Sequence, residues 1–82
     1  MMFTFDDFLV QRRYSDSAAR IGKKYTKLIF DAGYTEEDIK RIDGYVFRDM
    51  MDLGSNRRTN PWSRAVGMYR SYLTERERRN DN

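Results

Sequence analysis

The sequence predicts an all-α fold, a compact bundle of about four helices arranged around a central third one. Three observations carry this. Apolar residues recur at steps of three and four over most of the chain, residues suited to helix caps bracket those runs, and strand signals are weak throughout. The expected helices span residues 5–13, 18–32, 36–53 and 61–76. At 82 residues the chain is read as one domain, residues 1–82, with 75–82 as a frayed charged tail.

Each element has its own justification. Thr4, followed by Asp6 and Asp7, makes a capped start, and Phe5, Phe8 and Leu9 would face the core. Arg12 and Arg13 close this first helix with cations at its carbonyl end. In the second helix Ala18, Ile21, Tyr25, Leu28, Ile29 and Ala32 fall on one face, with Ser17 expected as cap and Gly33 as the closing left-handed residue. Thr35-Glu36-Glu37-Asp38 then opens the third helix with a capping hydroxyl and three first-turn carboxylates. Its stripe is expected to be Ile39, Ile42, Val46, Met50 and Leu53, with Gly54 as the stop. Gly44 costs about 1 kcal/mol inside a helix, which makes Asp43-Gly44 a natural place for a kink or break.

A polar loop, Gly54 to Asn60, follows, and Asn60-Pro61 supplies a cap and a proline at the first helical position. Trp62, Ala65, Val66, Tyr69, Tyr72 and Leu73 make the stripe of the last helix. Thr74 to Asn82 contains no apolar residue, and this is why fraying is expected there.

Composition narrows the chemistry. There is no Cys and no His, so disulfides, thiolate nucleophiles, cysteine-based metal sites and His-dependent triads are absent from the sequence. No glycine-rich phosphate loop occurs. Of the acid pairs Asp6/Asp7, Glu36/Glu37 and Asp49/Asp52, the first two do not amount to a site, because adjacent helical positions diverge and first-turn acids serve as caps. The expectation is a protein without catalysis, cofactor or metal. No apolar run reaches the length of a membrane span and no signal-peptide pattern precedes Met1–Tyr14, so a cytoplasmic protein with no membrane association is expected.

Charge is uneven. Residues 1–30 hold six cations and three acids, residues 31–52 three cations and seven acids, and residues 53–82 seven arginines and three acids. Arg20, Lys23, Lys24 and Lys27 recur at helical spacing opposite the apolar stripe of the second helix, with Arg12 and Arg13 nearby in sequence. Arg57, Arg58 and Arg64 form a second cluster, while Arg76, Arg78 and Arg79 alternate with Glu75 and Glu77. The first two clusters suit phosphate or carboxylate binding, hence DNA or RNA, or an ordinary solvated face.

The central stretch resembles the helix-turn-helix family of DNA readers in spacing alone, through Leu28, the Ala32-Gly33 corner, Tyr34, Ile39 and Ile42. Such a unit would lead with Thr35-Glu36-Glu37-Asp38, whose carboxylates oppose entry into a phosphate-lined groove. Gly44-Tyr45-Val46-Phe47 resembles the aromatic signature of RNA-recognition sheets, but its surroundings carry helix periodicity.

Among the apolar residues that miss the stripes are Phe30, Tyr45, Phe47 and Met51. Either the third helix is touched on several sides, or they are interface anchors with Arg and Lys at the rim. The leading functional expectation is a small non-catalytic helical binding protein that modulates a larger protein or nucleoprotein partner through protein–protein contact, or pairs with itself as a homodimer. The compact, motif-free build resembles accessory and inhibitor proteins of phages and plasmids. The alternative is nucleic-acid binding through the basic residues of the first two helices and the 57–64 loop.

Overall fold

The computed structural model describes residues 2–51 and 60–80 and shows an all-α bundle. In chain order the helices are α1 (Phe5–Gln11), α2 (Asp16–Asp31), α3 (Glu36–Arg41), α4 (Gly44–Met51) and α5 (Pro61–Asn80). Leu53, Gly54, Asp52, Arg57, Arg58 and residues 81–82 lie outside the described residues.

The central element is α5, against which α1, α2, α3 and α4 all pack; the expectation of a central third helix is corrected. The reason is the width of its apolar stripe. Trp62, Ala65, Val66, Met68, Tyr69, Tyr72 and Leu73 are all buried, enough of the circumference to meet helices on two sides. Phe5 lies 4.9 Å from Tyr69 and 5.5 Å from Tyr72, and Tyr25 packs edge-on against Trp62 at 4.6 Å. Phe8, Leu9, Ala18, Ile29, Ile39 and Phe47 complete the core.

Local chemistry explains the ends. Thr4 accepts from the Asp7 N–H while Asp7 accepts from the Thr4 N–H, each at 3.1 Å. Thr35 and Asp38 repeat this reciprocal cap. For α2 the cap is Ser15, which accepts from the Ala18 N–H at 3.2 Å, so the helix begins before the expected Ser17. Gly33, with φ of 98°, closes α2 as its Tyr34 neighbour donates to Ile29 O at 3.3 Å. Asn60 caps α5 by accepting from the Ser63 N–H at 3.0 Å.

The expected helix over 36–53 is two helices. Ile42 is extended (ψ 129°), and Asp43 restarts the chain by accepting from the Tyr45 N–H at 2.9 Å. A side chain on Gly44 would collide with the backbone of Ser63, so this glycine lets α4 cross close to α5. The break changes the helical phase. Val46 and Met50, expected in the core stripe, are 45% and 46% exposed, and Phe47 is fully buried in their place. At the other end, the expected tail is helical through Asn80.

Candidate functional site

Two surfaces stand apart from the core. The first is the outer face of α4. Its inner face holds Gly44 and Phe47, and Phe47 meets Tyr34 edge-on at 5.2 Å. Tyr45 projects outward, 57% exposed, beside Val46 and Met50. The Tyr34 hydroxyl donates to Met50 Sδ at 3.6 Å, and Arg48 pairs with Asp49 at 2.9 Å on the flank.

The expected anchors therefore separate. Phe47 is core and is corrected as a candidate contact residue. Phe30 is half-buried, edge-on to Tyr69 at 5.3 Å, and lines a shallow groove with Phe5, Lys23 and Lys27. Met51 is half-buried against the core. Only Tyr45 of the four is an exposed side chain. Val46 and Met50 were missed because a continuous 3.6-residue phase across Asp43 points them inward; the Asp43-Gly44 pair is the signal that the phase restarts.

The second surface is the outer face of α2, where Arg20, Lys23, Lys24 and Lys27 are all exposed. They line a surface depression of about 430 Å³ with Asp16 and Ala19. Lys23 pairs with Asp6 at 2.7 Å, and Lys24 lies over the Tyr25 ring at 5.4 Å. Arg20 and Lys27 make no ion pair among the described residues. Arg12 and Arg13 do not join this row by any contact: Arg12 lies over Phe8 and 3.9 Å from Glu75, and Arg13 takes a left-handed turn conformation (φ 57°). Arg64 is exposed on the first turn of α5.

The cations farther along α5 are engaged within the fold. Arg70 donates from Nε to Ile39 O at 2.7 Å and from a terminal nitrogen to Ile42 O at 2.8 Å, satisfying carbonyls at the end of α3. Arg76 grips Glu36 with two hydrogen bonds of 3.0 and 2.7 Å, and the Tyr69 hydroxyl donates to the same carboxylate at 2.8 Å. The Arg76 bonds hold the Glu36 carboxyl below its ordinary range against the opposing effect of burial. Burial, reinforced by Glu36, pushes the Tyr69 phenol up. Lys40 donates to Glu77 at 2.9 Å, and that bond raises its pKa. Arg79 stacks over Phe3 at 4.0 Å and donates to Gln11 at 2.7 Å.

Among the described residues no three carboxylates converge as metal ligands would, and no helix is long and apolar enough to cross a membrane. The chain matches no protein-family model, no curated protein and no solved structure.

Proposed function

We propose that this chain is a small non-catalytic binding protein that modulates a larger protein or nucleoprotein partner through the outer face of α4. The observation supporting this is the row Tyr45, Val46 and Met50, three large apolar side chains left in water on one eight-residue helix. Adjacent exposed apolar residues tend to mark contact surfaces, and aromatic and methionine side chains are enriched at the centres of interfaces. Phe47 on the opposite side carries the packing, so the outer face is free to serve a partner at no loss to the core. An accessory or inhibitor role fits a surface of this kind on so small a scaffold.

The test pairs Tyr45→Asp with Met50→Asp in one variant and compares it with wild type. Nuclease-treated host extract is passed over each immobilised protein, and sedimentation reports self-association. The reading predicts a discrete captured protein, or a homodimer, that the double variant loses while its melting temperature is unchanged. Equal capture and equal association by both proteins would overturn it, as would unfolding of the variant. Phe47→Ala, by contrast, should lose about 3–5 kcal/mol of stability through the cavity it leaves.

A further inference from the structure

We infer that the outer face of α2 is a second binding surface, and that it docks on the phosphate backbone of a double-stranded nucleic acid without regard to sequence. The row stands out as three neighbouring cations without acceptors on one helix face. Among the described residues Arg48, Arg70, Arg76, Arg78 and Arg79 are each bonded to a carboxylate or carbonyl, whereas Arg13, Arg41 and Arg64 stand singly without one. Arg20 and Lys27 have no such acceptor among the described residues, and Lys24 has only the ring of Tyr25. Lys23 is shared with Asp6. Three side chains thus remain to neutralise an outside anion.

Their placement sets the shape of that anion. Arg20, Lys24 and Lys27 lie on successive turns of one helix, on the face opposite buried Ala18, Gly22, Thr26 and Ile29. The seven helical steps from Arg20 to Lys27 span roughly 10 Å, the axial length over which one strand of a duplex carries about three phosphates. Asp16 and Asp31 stand at the two ends of α2 and limit the row to that length.

The face also lacks what other modes of nucleic-acid recognition need. Single-strand binders stack bases on exposed aromatic rings. Here the nearest rings are occupied inside the fold, Tyr25 against Trp62 and Phe30 against Tyr69. Base reading in a groove favours side chains that bond two atoms of one base in a fixed plane, as Arg, Asn and Gln do, whereas two of these three groups are lysines, which bind phosphate as point charges. The surface is therefore fitted to a rigid backbone and not to bases.

The test measures fluorescence anisotropy with two unrelated 20-base-pair DNA duplexes, one single strand of the same length, and polyglutamate of matched charge. The protein is the full chain and the triple variant Arg20→Gln, Lys24→Gln, Lys27→Gln. Wild type should bind both duplexes equally, and more tightly than either the single strand or polyglutamate. Three phosphate contacts predict that affinity falls about 40-fold between about 50 and about 200 mM salt, from a slope of about −0.9 per contact. The triple variant should bind at least about tenfold more weakly with unchanged helix content. No binding at low salt, a preference for single strand or polyglutamate, or binding that survives the triple substitution would each overturn the inference. Loss of helix content in that variant would overturn it too, by showing that the three side chains are structural.

Discussion

Along α2, Arg20, Lys24 and Lys27 stand in solvent without a carboxylate among the described residues. Along α5, from Arg70 to Arg79, each arginine bonds a protein acceptor. Both stretches are basic and helical, and composition alone does not tell them apart. What separates them is docking. The last turns of α5 run past the end of α3 and the start of the chain, so carbonyls of Ile39 and Ile42, the Glu36 carboxylate, Gln11 and the ring of Phe3 come within reach. Among the described residues, the outer face of α2 meets the edge of α1 at Asp6 and no other element. Arg70, Arg76 and Arg79 are structural because another element ends beside them, and Arg78 reaches only Glu75 of its own helix; Arg20, Lys24 and Lys27 have neither kind of acceptor among the described residues.

This contrast can be broken from either side. The largest effect is expected at Arg70. Replacing it with Met leaves carbonyls of Ile39 and Ile42 without their donor, and this should cost about 1–3 kcal/mol in urea unfolding. An unchanged midpoint would mean that α3 is held by other means.

Glu36 comes next. Its side chain and that of Arg76 are about a third exposed, so solvent screening limits the pair to about 1 kcal/mol. Its carboxyl titrates lower in the folded protein than its ordinary 4.5, so the unfolded chain binds protons first as pH falls. The stabilisation is therefore complete above that ordinary value and is lost as pH drops through the lower folded one. Glu36→Gln should reduce stability at neutral pH and remove this part of the acid loss, as read from thermal melts across that window. Parallel acid profiles for the two proteins would contradict the pairing.

The smallest effect belongs to α2. Arg20→Gln, Lys24→Gln and Lys27→Gln together should change stability by no more than about 0.5 kcal/mol, the usual range for unpartnered surface positions. A larger loss would move the row into the structural class with α5.

Much of the fold was legible in the sequence because it is written in short-range signals. The caps at Thr4, Thr35 and Asn60, the closing Gly33, and the buried stripe of α5 all depend on residues within four positions of one another. Two things were not. Fraying after Thr74 was expected because those residues carry no apolar group, yet their partners Glu36, Lys40, Gln11 and Phe3 lie far away in sequence. The α4 surface differs in phase from the sequence pattern: one extended residue at Ile42 resets the helix after it, exchanging Phe47 with Val46 and Met50. Gly44 marks the place of the break, but its close passage over Ser63 is a contact between residues far apart in sequence, which no local pattern encodes.

Hydrogen exchange of the arginine Nε–H groups, followed by nitrogen-resolved NMR, tests the difference between the two basic stretches most directly. The Arg70 Nε–H, bonded to a backbone carbonyl, should exchange markedly more slowly than that of Arg20, which should exchange like a free side chain. Equal exchange at the two sites would contradict the division between engaged and available cations.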